Sequence, residues 1–283
     1  MKKGIVLEGG GLRSLFSEGV FDVLLENNIT LDGAIGVSAG ASIGCNIKSR
    51  QIGRALRYNT VFAHDRRYIS LWSWLTTGDI VGREFGYHVV PIKHDIIDTA
   101  TYDSNPMEFY AVCTDVDTGE MVAKSLPRMN HEALDWLCAS SSMPIVSRPV
   151  SLEGRRLLDG GIVNSIPLEY FQQLGYEKNL VILTQPKGYM KRRTPLMPLF
   201  HIFCRKYPAV ISAMARRHEM YNAQLQYVAQ QETLGNTLVI CPDDILPIGR
   251  IEMKPPKMKV VYDMGRRAGL ANLDRIKAFL AAE

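Results

Sequence analysis

The sequence predicts an α/β fold, a three-layer α/β/α domain with a mainly parallel central sheet. In the first fifty residues, short apolar segments alternate with helical patterns, and each segment runs into a turn rich in glycine or serine. Continuous apolar runs of this length are typical of strands that are buried on both faces. A strand–helix–strand–helix order places such strands side by side in parallel, with helices on both faces of the sheet.

Four elements account for this opening. Residues 4–7 form an apolar strand that ends in a glycine-rich loop. From Ser14 the apolar residues recur at helical spacing through Leu25, which predicts the first helix. Residues 34–37 form a second short strand, and residues 39–48 are compatible with a helix that begins directly after it.

The remaining elements follow from turn signals and apolar runs. Residues 52–100 are expected to be helical or irregular, with an aromatic stretch at 68–75. Asn130 is suited to cap a helix that ends before Pro144. We expect strands near residues 108–112, 121–123, 156–158, 180–184 and 237–241, and two helices between 257 and 280.

The chain shows no internal repeat, low-complexity tract or clear linker. We therefore expect a single domain over residues 1–283. Its motif-bearing core covers about residues 4–185, and residues 186–283 form a basic, mostly helical C-terminal part.

Composition excludes several classes of protein. The chain is 46% hydrophobic and 22% charged, which excludes disordered, fibrous and coiled-coil proteins. A net charge of +4 is too small to indicate a nucleic-acid partner. The five cysteines are scattered, odd in number and without C-x-x-C spacing, which favours a reducing compartment over a disulfide framework or a zinc site.

The sequence also predicts where the protein is found. Only three apolar residues follow Lys2 and Lys3, too few for a signal peptide. No run approaches the ~18 consecutive apolar residues that indicate a membrane-spanning helix. We expect a soluble, cytoplasmic protein that contacts the inner face of the membrane peripherally.

The strongest local motif is G-x-S-x-G at residues 36–40, between a predicted strand and a predicted helix. At such an elbow the serine, here Ser38, lies in a sharp turn with its hydroxyl clear of the sheet. Ser38 would also lie at a helix N-terminus, which favours negative charge. The alternative is a glycine-rich turn without function, and the strand–turn–helix setting argues against it.

A second motif, Glu8 to Arg13, contains three consecutive glycines between a strand and a helix. Their backbone N–H groups could bind a phosphate or the oxyanion of a tetrahedral intermediate. As a dinucleotide fingerprint the motif is imperfect, since Ser14 stands where the third glycine belongs, and it lacks the G-K-[ST] of a Walker loop. Two alternatives therefore stay open, a nucleotide- or phosphate-binding α/β protein and a structural glycine turn.

A serine nucleophile needs a base, and the histidines are poorly placed to supply one. Only His201 and His218 follow Asp159, as the order Ser–Asp–His would require. Both lie in a basic, helical segment without a strand-end loop. Asp159 itself ends a predicted strand and precedes two glycines, and an aspartate can take the serine proton directly when the two lie within hydrogen-bond reach.

Taken together, the glycine loop, the G-x-S-x-G motif and Asp159-Gly160-Gly161 resemble the patatin-like phospholipase family. Ser140, Met143-Pro144 and Pro149 before the acid add to the resemblance, as do Asn164 and Pro167 after it. The sequence departs from the family pattern at Glu8, where the family has aspartate, and at Ser14, where it has glycine. The motifs cover about residues 4–170.

The resemblance implies a serine acyl hydrolase that cleaves carboxyl esters of lipids, with phospholipase or lysophospholipase A activity and no metal or organic cofactor. It implies Ser38 as nucleophile and Asp159 as base, without histidine. The N–H groups of Gly9, Gly10 and Gly11 would form the oxyanion hole, and Arg13 would support that loop. A silent relative that acts as a membrane scaffold is disfavoured because both Ser38 and Asp159 are present.

Residues 187–218 contain eight Lys/Arg residues and no Asp or Glu, interleaved with apolar residues. This pattern fits contact with an anionic membrane surface. The alternative is a helix that packs on the core with a solvated basic rim. The aromatic stretch at 68–75 likewise fits either the wall or lid of an acyl pocket, or a part of the core.

Overall fold

Eight strands form one sheet in the computed structural model, which describes residues 1–282. Their order across the sheet is β5-β6-β3-β2-β1-β7-β8, with β4 paired to β3. The strands are β1 (Lys2–Leu7), β2 (Gly33–Val37), β3 (Glu108–Asp115), β4 (Met121–Ser125), β5 (Val150–Leu152), β6 (Arg155–Asp159), β7 (Tyr176–Ile182) and β8 (Thr237–Ile240).

Helices cover both faces of this sheet. Residues Gly11–Ser14 and Gly160–Ile162 form short 3₁₀ turns, and Glu84–His94 form a π-helix. The α-helices are α1 (Leu15–Glu26), α2 (Ala39–Lys48), α3 (Arg54–Val61), α4 (Leu71–Thr77), α5 (Thr99–Ser104), α6 (His131–Ser140), α7 (Leu168–Gln173), α8 (Met197–Phe203), α9 (Pro208–Thr233), α10 (Pro255–Ala271) and α11 (Leu273–Ala281). None of the helices within residues 1–282 combines the length and the apolar character that crossing a bilayer requires.

The centre of the sheet is parallel, which confirms the predicted fold class. Strands β3, β2, β1, β7 and β8 pair in parallel, whereas β4, β5 and β6 are antiparallel additions. Alternate residues of β1 point to opposite faces, as strand geometry requires. Ile5 and Leu7 belong to a core cluster that includes α1, whereas Val6 belongs to a cluster with α7 and α9.

Several predicted elements are present with shifted ends. Asn130 caps α6 as predicted, because its side chain accepts a hydrogen bond from the Ala133 N–H. Strand β7 begins at Tyr176, before the predicted apolar run, because Tyr176 and Lys178 pair with the first residues of β1. The Lys178 ammonium group donates to the carbonyl oxygens of Phe279 and Ala282. Strand β5 was not predicted, because its three residues are too few to show a pattern and it is formed only by pairing with β6.

The C-terminal part shares the sheet and the core of the rest of the chain. Strand β8 extends the sheet beside β7. Helix α10 packs so closely against α1 that a Cβ atom at Gly265 would collide with the carbonyl oxygen of Phe16. Close helix contact of this kind needs a residue without a side chain at the crossing point.

Candidate active site

Ser38 lies at the turn between β2 and α2, at the carboxyl edge of the parallel sheet. Its backbone has φ 57° and ψ −131°, a conformation that costs a non-glycine residue about 1–3 kcal/mol. Gly40 permits the turn, since a Cβ atom there would lie 2.6 Å from the Leu7 carbonyl oxygen. The Ser38 N–H donates to the Ser140 Oγ at 2.9 Å, and that hydroxyl donates to the Val112 carbonyl at 2.6 Å.

The Ser38 hydroxyl donates a hydrogen bond of 2.6 Å to Oδ2 of Asp159. These residues are 121 positions apart, and β3 brings them together. On one side of β3, Val112 pairs with Val37 of β2; on the other, Cys113 pairs with Asp159 of β6. Two neighbouring residues of β3 thus fix the positions of the serine and the aspartate, one through each adjacent strand.

Opposing effects act on the Asp159 carboxyl group. Burial raises its pKa from the ordinary value of 3.8, because burial disfavours the charged form. The hydrogen bond from Ser38, the Gly161 N–H at 2.7 Å and the positive charges of Arg217 and Arg250 act in the other direction. The result is a carboxylate with a strengthened affinity for a proton, held against a hydroxyl.

The glycine loop lies directly against this pair. A Cβ atom at Gly9 would lie 2.8 Å from the Ser38 Cβ. Gly11 has φ +58° and leaves no room for a side chain beside the Arg250 carbonyl. Within residues 1–282, no protein acceptor bonds the N–H groups of Gly9, Gly10 or Gly11. Three free donors beside a serine hydroxyl can hold an oxyanion.

Two side chains hold the loop in place. Arg13 Nε donates to the Gly10 carbonyl at 3.3 Å. Glu8 is buried, and its carboxylate accepts hydrogen bonds from the Thr184 N–H at 2.6 Å, the Thr184 hydroxyl at 3.0 Å and the Tyr221 hydroxyl at 2.6 Å. The residue that departs from the family pattern thus ties the loop to the end of β7 and to α9.

A largely apolar cavity of ≈ 120 Å³ opens at Ser38. Its walls come from α2, α3, the π-helix and α6, and include Tyr58, Val90 and Leu137. Within the aromatic stretch at 68–75, Tyr68 and Ile69 line the cavity, whereas Trp72 is exposed. The first part of that stretch is therefore a pocket wall.

The comparisons with known proteins place the chain in a family. The family model described as patatin-like phospholipase matches residues 5–171, more than half of the chain, and this range contains the glycine loop, Ser38 and Asp159. The chain belongs to the patatin-like phospholipase family. A second model, a domain of unknown function (DUF6363), matches residues 207–281.

Among individual relatives of this patatin-like chain, lysophospholipase nte1 of Aspergillus oryzae is 25% identical over 97% of the chain, which spans 18% of that protein. The uncharacterized protein YjjU of Escherichia coli is 29% identical over 64% of the chain and 52% of its own length. The crystal structure of VipD from Legionella pneumophila matches with a TM-score of 0.47 and 12% identity, over 97% of this chain and 67% of that one. The chain thus spans only part of the curated relatives that it matches.

The histidines of this patatin-like chain lie away from Ser38. None of the six lines the Ser38 cavity or bonds to the Ser38–Asp159 pair. His88 bonds Asp135 at 3.0 Å and stacks on His131, and His94 packs against Phe85. The side chain that accepts a hydrogen bond from the Ser38 hydroxyl is thus Asp159 and not a histidine.

A second opening, which we name the basic cleft, lies beside the cavity and has a volume of ≈ 470 Å³. Arg250 lines both openings. Sequence reasoning missed this residue, because Arg250 lies in an irregular segment far from every motif, and only the fold brings it to the glycine loop. The cations that line the cleft are Lys191, Arg192, Arg193, Arg217 and Arg250.

Proposed function

We propose that the chain is a serine acyl hydrolase that cleaves carboxyl esters of lipids, with Ser38 as nucleophile and Asp159 as base. The observation that carries the proposal is the 2.6 Å hydrogen bond from the Ser38 hydroxyl to Asp159 at the mouth of an apolar cavity. A serine is a weak nucleophile unless a neighbouring base takes its proton.

In this mechanism the Ser38 Oγ attacks the ester carbonyl while Oδ2 of Asp159 takes the hydroxyl proton. The carbonyl oxygen becomes an oxyanion that accepts hydrogen bonds from the N–H groups of Gly9, Gly10 and Gly11. Asp159 then gives its proton to the departing alcohol, which leaves an acyl-Ser38 ester. Asp159 next takes a proton from water, the hydroxide attacks this ester, and the released serine regains its proton from Asp159.

The substrate class is inferred from the cavity and from the relatives. An apolar cavity at the nucleophile suits the acyl chain of a lipid, since apolar burial favours binding. Relatives that match 97% of the chain are named lysophospholipases. We therefore include phospholipids and lysophospholipids among the proposed substrates.

Peripheral contact with an anionic membrane is part of the proposal. Helix α8 buries Phe200 but exposes Leu199, Ile202 and Phe203, the last two by 63% and 56%. The segment that carries it, residues 187–218, contains no acidic residue. We name α8 together with Arg205 and Lys206 the docking surface. Apolar side chains flanked by cations suit the boundary between acyl chains and anionic headgroups.

The test is the intact mass of the protein after incubation with a fluorophosphonate, which phosphonylates activated serines. We expect one adduct on the wild-type chain and none on Ser38→Ala. Ser42→Ala is a matched control from the same cavity and should still be labelled, because the Ser42 hydroxyl contacts Ser141 rather than a carboxylate. An adduct on Ser38→Ala, or none on folded wild-type protein in detergent micelles, would contradict the proposal and favour a phosphate-binding protein that uses Gly9–Gly11.

A further inference from the structure

Several positively charged side chains lie together at the basic cleft, and the proposed reaction does not require them. Arg13, Lys191, Arg217 and Arg250 influence one another electrostatically, and the acidic groups acting on this cluster are Glu8 and Asp159. None of the four cations has a salt bridge within residues 1–282.

The two carboxylates are already occupied by other donors. Glu8 bonds Thr184 and Tyr221, and Asp159 bonds Ser38 and Gly161. Four cations therefore share two carboxylates that are hydrogen-bonded elsewhere. Partly buried cations without a paired anion are costly, and a bound anion would offset that cost.

The pKa values of Arg13, Lys191 and Arg217 are lowered, as expected where positive charges outnumber negative ones. Burial, followed by the charges of Arg217 and Arg250, lowers the pKa of Lys191 to about 7. Burial and Arg250 also lower the pKa values of Arg13 and Arg217. Burial and the neighbouring positive charges thus disfavour the cationic form of each of these side chains.

Lys191 is nevertheless held in position. Its backbone N–H donates to Oδ1 of Asn222 at 2.8 Å, and its carbonyl accepts from Nδ2 of the same side chain at 3.0 Å. Its Nζ lies 4.0 Å from the centre of the Tyr221 ring. Because α9 supplies these contacts, the ammonium group is positioned without a carboxylate, and binding an anion requires little reordering.

Arg250 connects the cleft to the reacting atoms. It lines the cleft and the Ser38 cavity, and its carbonyl accepts the Leu12 N–H at 2.9 Å, directly after the glycine loop. A lipid whose acyl chain enters the cavity and whose ester lies at Ser38 can thus direct its remaining polar part past Arg250.

We propose that the basic cleft binds the phosphate group of the lipid substrate, so that the enzyme prefers glycerolipid esters that carry a phosphate. The proposal rests on the proposed function, and it assigns Lys191 and Arg250 as the residues that recognise the headgroup. Guanidinium and ammonium groups bind phosphate oxygens through charge-assisted hydrogen bonds, which are stronger than neutral ones.

The main experiment compares hydrolysis of two substrates with the same acyl chain, a 1-acylglycerol and a 1-acylglycerol 3-phosphate. We expect kcat/KM to be higher for the phosphate ester. Lys191→Met and Arg250→Gln should each lower the preference ratio by about tenfold or more. The matched controls Lys277→Met and Arg216→Gln remove the same charges from exposed positions that do not line the cleft, and they should keep the ratio. Equal rates for the two substrates in the wild type, or an unchanged ratio in both cleft variants, would overturn the proposal.

A second arm separates a headgroup site from a site for free phosphate. Inorganic phosphate should compete with the phosphate ester and leave hydrolysis of the 1-acylglycerol unaffected. If it changes turnover of both substrates to the same extent, the cleft is an effector site and the proposal fails.

A third arm does not depend on turnover. Calorimetric titration of sn-glycerol 3-phosphate into Ser38→Ala should show binding that is lost when Lys191→Met is added. Retained turnover in Ser38→Ala would refute the proposed catalytic role, whereas absent binding of glycerol phosphate would refute the cleft proposal alone.

Discussion

In the proposed mechanism, Asp159 must be ionised to accept the Ser38 proton, yet its burial favours the protonated form. Because burial raises its pKa, the fraction that is ionised increases with pH through a range above the ordinary value of 3.8. The nearby cations limit this rise, since they stabilise the carboxylate. Under the proposed mechanism, the charges around the Asp159 carboxyl group therefore set the acidic limit of activity.

We expect kcat/KM for a neutral ester to fall as pH decreases through the Asp159 pKa. Arg250→Gln should move this acidic limb to higher pH, because the variant removes a charge that lowers that pKa. The measurement is a pH profile of kcat/KM, with Arg216→Gln as the control from outside the site. An acidic limb that stays in place, or one that moves to lower pH, would argue against Asp159 as the base.

The backbone of Ser38 provides a second test at this scale. Its φ of 57° is strained for serine and accessible to glycine. Ser38→Gly should therefore be more stable than Ser38→Ala by about 1 kcal/mol, although both lack the proposed nucleophile. Urea unfolding midpoints of the two variants measure the difference. Equal midpoints would mean that the turn stores no strain.

At the scale of the element, helix α8 combines core contacts with an exposed apolar face. Phe200 and Cys204 are buried beneath it, whereas the opposite side of the helix is apolar and exposed. The segment contains both features that the sequence left as alternatives, a core contact and a basic, apolar surface.

Ile202→Glu should weaken binding to vesicles that contain anionic phospholipid by about tenfold, because it places a negative charge on the docking surface. Val61→Glu is the matched control, since Val61 is equally exposed but lies on α3. Sedimentation with vesicles measures the bound fraction. If both variants bind as the wild type does, α8 is not the contact.

Elements also show what a sequence can and cannot predict. Strands β1 and β2 and the turns after them follow from apolar runs and glycine spacing, which are local properties. The bonds of Glu8 to Thr184 and Tyr221 join residues 176 and 213 positions apart. No local pattern encodes such a pairing, and the position of Arg250 escaped prediction for the same reason.

At the scale of the whole molecule, two family models match different parts of the chain, whereas the strands of both parts form one sheet. Residues 207–281 contain β8 and α10, which contact β7 and α1 of the N-terminal part. We propose that residues 1–283 fold as a single unit. Separate units would each leave an open sheet edge or an uncovered apolar helix face.

Gly265→Ala tests this proposal. The added Cβ atom would collide with the backbone of α1, so we expect a loss of stability of about 2–4 kcal/mol. Unfolding should remain one transition that moves as a whole, followed both by far-UV circular dichroism and by loss of fluorophosphonate labelling. Gly249→Ala is the control, because its nearest atom would lie at 3.4 Å. Two separated transitions in Gly265→Ala would indicate independent units.

The hydrogen bond from the Leu12 N–H to the Arg250 carbonyl also has a consequence for the order of synthesis. The ribosome completes the glycine loop, Ser38 and Asp159 long before it reaches residue 250. The loop lacks its C-terminal support until then, and so does the Glu8 carboxylate until Tyr221 emerges. A nascent chain therefore carries Ser38 and Asp159 before the contacts that hold the glycine loop can form, and we expect the proposed activity only once residue 250 has been synthesised.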